Sequence, residues 1–136
     1  MNVSKLKIFT DGGARGNPGP AGIGVVIKNE HNDIICEISK YIGKTTNNQA
    51  EYRAVVCAIE KAKELGAKEV DFYLDSELVV KQLNREYKVR NKDLMPHFVK
   101  IYNHSLSFKK IKFIHIYREK NKEADQLANA AMDKGE

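Results

Sequence analysis

Residues 5–28 read KLKIFTDGGARGNPGPAGIGVVIK. Lys5 to Asp11 is apolar and rich in strand-forming residues, and residues 12–20 make a glycine- and proline-rich turn. Ala21 to Lys28 predicts a second strand, Asn29 to Asp33 a polar turn, and Ile34 to Ile42 a third strand. The short connections predict an antiparallel meander of three strands.

Helices enter after the meander. Thr46, Asn47 and Asn48 are N-cap candidates for a long helix, and Gly66 stands where its C-terminal cap belongs. Val70 to Asp75 predicts a fourth strand, and Ser76 caps a short helix running to about Arg85. Residues 86–93 are a basic, polar connection. Leu94 to about Phe108 is helical, with Pro96 tolerated in the first turn. Ile111 to Tyr117 is a fifth strand, and Asn121 caps a last helix to about Lys134. Strands alternating with helices pair in parallel. The expected fold is therefore α/β, a mixed five-stranded sheet flanked by helices, in one domain over residues 1–136.

Composition narrows the function classes. Of 136 residues 42% are hydrophobic and 30% charged, which excludes a disordered chain. No apolar run approaches the ~20 residues of a membrane span. No apolar signal core follows Met1, so the expectation is a cytoplasmic monomer with no membrane partner. The 23 basic and 18 acidic residues leave a net charge of +5, which fits a polyanion such as nucleic acid. Cys36 and Cys57 are too few for a disulfide framework and read as reduced, buried thiols. The four histidines lack zinc spacing, so no structural zinc is expected. Gly43-Lys44-Thr45 ends like a phosphate-binding loop, but Ile38 stands where that motif needs its first glycine.

The informative residues are acids. Val55, Ala58, Ala62 and Leu65 mark one apolar helix face, and Glu51 lies on that face four residues before Val55. Asp11 and Asp75 each close an apolar strand, and Asp125 sits in the first turn of the last helix. Each has an ordinary explanation alone, as a turn starter or as an acid favoured by the helix dipole. Ligand sites of such sheets form beyond the carboxyl ends of strands. If the first and fourth strands are neighbours, Asp11 and Asp75 lie side by side and repel unless a cation separates them. Four such acids favour a hard cation, Mg²⁺ or Mn²⁺ rather than Zn²⁺.

Four motifs in order resemble type 1 ribonuclease H over nearly the whole chain. They are Thr10-Asp11-Gly12-Gly13 with Gly16-Asn17-Pro18-Gly19, Thr46-Asn47-Asn48-Gln49-Ala50-Glu51, Asp75-Ser76, and Asn121-Lys122-Glu123-Ala124-Asp125-Gln126-Leu127-Ala128. The resemblance implies sheet order 3-2-1-4-5. It implies two divalent ions held by Asp11, Glu51, Asp75 and Asp125, with Asp11 bridging both. It implies endonucleolytic cleavage of the RNA strand of an RNA–DNA hybrid, leaving a 5′-phosphate and a 3′-hydroxyl. Asn17, Asn47 and backbone groups of Gly12 and Gly13 match positions that read 2′-hydroxyls, and Thr46 and Asn48 match a pocket for a DNA-strand phosphate. Ser76 belongs to the matched Asp-Ser pair.

This chain departs from the family's pattern in three places. The loop before the last helix reads Tyr117-Arg118-Glu119-Lys120-Asn121 and lacks the family's frequent His, so Arg118 is expected to support turnover electrostatically. Glu77 stands where some relatives have a Gln that contacts RNA, which a carboxylate cannot replace as a donor. Residues 85–92 are too short for the basic helical protrusion of longer relatives, yet keep Arg85, Lys88, Arg90 and Lys92. The alternative of a non-catalytic hybrid-binding module predicts loss of acids, and all four are present.

Overall fold

The computed structural model describes residues 4–135. Strands β1 (Lys5–Ala14), β2 (Gly19–Lys28) and β3 (Ile34–Thr45) precede helix α1 (Asn47–Glu64). Then come β4 (Glu69–Leu74), α2 (Glu77–Leu83), α3 (Met95–Ser105), β5 (Lys110–His115) and α4 (Lys122–Lys134), with a 3₁₀ turn at Arg118–Lys120 before α4. The sheet order is β3-β2-β1-β4-β5. β1–β2 and β2–β3 are antiparallel, while β1–β4 and β4–β5 are parallel, as the sequence and its resemblance predict.

Period-2 alternation puts Leu6, Ile8, Val25, Ile27, Phe72 and Leu74 on one face of the sheet. There they meet Val55, Ala58, Ile59 and Ala62 of α1 in the core. α4 covers the other face through Ala124, Ala128 and Ala131. Its approach requires glycine in β2: a side-chain carbon on Gly24 would overlap the Ala124 carbonyl oxygen, and one on Gly22 would lie 2.7 Å from that of Ala128. At α1, Thr46 is the N-cap, its hydroxyl accepting from the Gln49 N–H at 3.2 Å. Gly66 takes a left-handed φ of +81° just beyond the C-cap residue Leu65.

Several sequence boundaries change. Asp11 does not close its strand, because β1 pairs with β2 as far as Ala14↔Ala21 and the turn shrinks to residues 15–18. The reason is a helix rather than a turn: a side chain on Gly12 would overlap the Ala50 carbonyl oxygen of α1. Turn-like composition here serves close packing. β3 runs on to Thr45, α3 stops at Ser105, and β5 ends at His115 rather than Tyr117. Cys36 and Cys57 are free but half-buried rather than buried. Among the described residues no helix is long and apolar enough to cross a membrane.

Candidate active site

The ladder between β1 and β4 stops at Phe9↔Tyr73, whereas β1 itself continues. Asp11 therefore has no β4 residue beside it, and Asp75 follows β4 directly. Into this opening α1 brings Glu51 from its first turns. One carboxylate oxygen each from Asp11, Glu51 and Asp75 lie within 4.8 Å of one another. Asp125, in the first turn of α4, faces the same space as Asp11, close enough for its carboxylate to act on it.

These acids sit where charge is costly. Asp11 and Glu51 are each 9% exposed. Burial first, then the charge of Asp75 and the nearby Asp125 carboxylate, push the Asp11 carboxyl up to about 8. Burial, then Asp11 and Asp75, hold Glu51 well above the usual carboxylate range, with Arg118 opposing. Glu51 Oε2 is buried without a hydrogen-bond partner. An unpaired buried oxygen in an all-oxygen, acidic cluster fits a hard divalent cation, which would supply the missing partner and offset the repulsion.

The pH dependence follows. Between about 4 and about 8 the folded chain without divalent ions holds a proton on Asp11 that the unfolded chain, with its ordinary value of 3.8, releases. The folded form binds more protons there, so stability falls as pH rises through that window. Thermal melts with chelator are expected to drop by roughly 5–10 °C between pH 5 and pH 8. Mg²⁺ at pH 8 is expected to restore the loss. A melt equally high at both pH values with chelator would contradict this environment for Asp11.

The predicted residues largely converge. One open depression of about 630 Å³ is lined by Asp11, Glu51, Asp75, Asp125 and Arg118, and by Gly12, Gly13, Asn47 and Ser76. Ser76 is also the N-cap of α2, its hydroxyl accepting from the Val79 N–H at 3.3 Å. Asn17 lies at the margin: its Oδ1 accepts from the Asn47 N–H at 3.0 Å. Asn47 Oδ1 accepts from the Ala14 N–H at 2.8 Å. Thr46 and Asn48 stand at the start of α1 outside the lining. His115 is 3.9 Å from Glu77 and packs edge-on against Tyr117.

Sequence reading missed the task of Asn121. It heads α4 but makes no side-chain cap. Its amide, 1% exposed, donates to the Thr10 carbonyl at 2.9 Å and to Asp75 Oδ2 at 3.1 Å. One side chain thus ties the residue before Asp11, the end of β4 and the helix that carries Asp125. The motif marks the position but does not distinguish a cap from this bridge. Asn121→Ala is expected to cost about 2–3 kcal/mol in urea unfolding, because a buried carbonyl and a part-buried carboxylate lose their donor. A cost below about 0.5 kcal/mol, within the range of ordinary surface substitutions, would show that the bridge carries little. Asn129, Arg15 and Met132 also line the depression and were not singled out.

Residues 9–131 match the family described as reverse transcriptase-like. The chain belongs to that family and, within it, to the ribonucleases H. It is 33% identical to the ribonuclease H of Ruthia magnifica, over 97% of this chain and 98% of that protein. The N-terminal RNase H domain of a Mycobacterium tuberculosis protein superposes with a TM-score of 0.92 at 41% identity, covering 95% of this chain and 99% of that one. A ribonuclease H1 isolated from compost gives a TM-score of 0.91 at 49% identity, covering 96% and 97% of the two chains. That enzyme has been solved in complex with an RNA/DNA hybrid. The chain spans 36% of the length of the full mycobacterial proteins it matches.

Proposed function

We propose that this chain is an endoribonuclease that hydrolyses the RNA strand of RNA–DNA hybrids in a divalent-ion-dependent reaction, with Mg²⁺ or Mn²⁺, leaving 5′-phosphate and 3′-hydroxyl ends. The observation that carries this reading is the convergence of Asp11, Glu51 and Asp75 within 4.8 Å, joined by Asp125, around a buried oxygen without a partner. Two divalent ions held by these four acids would supply Lewis-acid stabilisation of an in-line displacement at phosphorus.

The protein's own groups bind and orient. Asn17 and Asn47 each spend their side-chain oxygen on a backbone N–H. That leaves their amide NH₂ groups as donors, Asn47 lining the depression with the acids and Asn17 at its margin, suited to the 2′-hydroxyl that distinguishes RNA from DNA. Thr46 and Asn48 stand at the N-terminus of α1, where backbone N–H groups and the helix dipole suit a phosphate of the DNA strand. Contacts of this kind, to phosphate and sugar, predict weak sequence preference.

Arg118 lines the same depression, and its charge reaches Glu51. It is suited to stabilise charge on the departing strand. Arg118→Ala is expected to lower turnover by roughly 10–100-fold, on the scale of one lost electrostatic donor. Unchanged turnover and metal dependence would remove Arg118 from the mechanism.

The test is a panel of labelled RNA–DNA hybrid, double-stranded RNA and double-stranded DNA with Mg²⁺, Mn²⁺ or chelator. Cutting confined to the RNA strand of the hybrid, and abolished by chelator, is the expected result. Binding of the hybrid without cleavage under every divalent ion would point instead to a non-catalytic hybrid-binding module.

A further inference from the structure

Arg15 is a charged group at the site for which cleavage chemistry assigns no task. It opens the 15–18 turn, with its backbone N–H donating to the Pro20 carbonyl at 2.8 Å. Its neighbour Ala14 is pinned by Asn47 Oδ1 at 2.8 Å, so the root of the side chain is fixed against α1. Among the described residues, Arg15 and Arg118 are the two cations lining the acidic depression.

The guanidinium of Arg15 is engaged elsewhere. Its Nη1 lies 2.6 Å from Asp133 Oδ1 in the last turn of α4. Its Nη2 lies 3.4 Å from the Asn129 carbonyl and 3.4 Å from Asn129 Oδ1. Asn129 in turn donates to Asp125 Oδ1 at 3.2 Å. The guanidinium therefore reaches one of the four acids through a single intervening side chain.

Two features make the ion pair exchangeable. The side chains of Arg15 and Asp133 are 47% and 68% exposed, so water screens their attraction. Asp133 also sits near the C-terminus of α4, where the helix dipole disfavours an acid, so the helix itself gives no reason for it. What remains is an exposed anion resting on a planar donor fork that matches phosphodiester oxygens.

We infer that Arg15 binds a backbone phosphate of the RNA strand, and that Asp133 holds its guanidinium ready until that phosphate displaces the carboxylate. The RNA strand is the one in question because the strand that is cut must enter the depression Arg15 lines. That identification rests on the hybrid-cleaving reading; the exchange of anions on Arg15 rests on the geometry above.

Binding is read by fluorescence anisotropy of a labelled RNA–DNA hybrid in Ca²⁺, an oxygen-seeking ion whose looser coordination separates binding from turnover. Arg15→Ala is expected to weaken binding about 10-fold and to make the slope of log affinity against log salt shallower by roughly 0.7–0.9, one phosphate's worth. Arg15→Lys recovers part of the loss. Asp133→Asn is expected to tighten binding about threefold, since the phosphate no longer competes with a carboxylate.

The double variant decides between local exchange and general charge. If Asp133 acts through Arg15, Arg15→Ala with Asp133→Asn binds like Arg15→Ala alone. If the threefold gain persists without Arg15, Asp133 acts by diffuse repulsion and the inference is overturned. Melts of the single variants are expected within a few degrees of wild type, because the pair is exposed. A wild-type chain that binds the hybrid while Arg15→Ala matches it in affinity and salt slope overturns the role of Arg15 alone. A wild-type chain that does not bind the hybrid overturns the functional reading and this role with it.

Discussion

Asp11→Asn is expected to lower hybrid cleavage by at least ~10³-fold, equivalent to about 4 kcal/mol of transition-state stabilisation, and at pH 8 to raise the melting temperature measured with chelator. The two effects share one cause. Asp11 lies next to Glu51, Asp75 and Asp125, and burial with their charges pushes its own carboxyl up to about 8. A neutral amide of the same shape cannot ionise, so the ion-free fold no longer has to hold either a proton or a buried charge there as pH rises. The same change removes a ligand oxygen that would carry negative charge once divalent ions bind. Stability and activity therefore move in opposite directions. A variant both inactive and less stable than wild type in chelator would mean that Asp11 is a structural residue. Retained cleavage would remove it from the reaction altogether.

Gly24→Ala is expected to be strongly destabilising although it adds a single carbon. The added carbon would overlap the Ala124 carbonyl oxygen and would lie 2.8 Å from the Ala128 nitrogen and 2.9 Å from Leu127 Cβ. Two of those atoms are helix backbone, so no rotamer change relieves the contact and α4 must move off the sheet. Overpacking of this kind costs roughly 3 kcal/mol, about 10 °C in melting temperature for a domain of this size. α4 also carries Asp125, and Asn121 at its head ties it to Asp75 and Thr10. Residual folded protein is therefore expected to cleave more slowly as well. A melt within about 2 °C of wild type would show that the helix packs more loosely than the structure describes, because a full-strength overpacking clash shifts it several-fold further.

How much of this was legible in the sequence differs from residue to residue. The alternation of Leu6 and Ile8 with Lys7 and Phe9, and the helical spacing of Val55, Ala58 and Ala62, give the elements and their buried faces. Strand order did not follow from periodicity, which says nothing about neighbours; it came with the resemblance. In the sequence, Gly12 to Gly19 read as turn residues, and Gly22 and Gly24 as members of a strand. Three of them are instead close-approach positions, Gly12 under α1 and Gly22 and Gly24 under α4. A glycine needed for space and a glycine needed for a turn look alike in a sequence.

The acids were legible because each stands at an anomalous place: Glu51 on an apolar helix face, Asp11 and Asp75 at the ends of apolar runs. Their common location is implied by the resemblance, and the structure gives its physical basis: β1 and β4 are neighbours of unequal length, which opens the space the acids share. Asn121 shows the limit of motif reading. Asparagine before a helix is an N-cap by composition, and only the fold reveals that its amide faces Thr10 and Asp75. Arg15 gave no signal at all, because its partners Asn129 and Asp133 lie over a hundred positions away in the chain.

That these carboxylates are gathered to hold divalent ions can be tested without substrate. Mn²⁺ titrated into the purified chain at pH 8, followed by loss of the free-ion paramagnetic resonance signal, reports binding directly. Wild-type protein is expected to bind Mn²⁺, with affinity weakened at least ~10-fold in Asp11→Asn and again in Glu51→Gln, each loss corresponding to about 1.4 kcal/mol or more. Equal Mn²⁺ binding by wild type and both variants would contradict the account, since the ions would then be held somewhere other than the four acids.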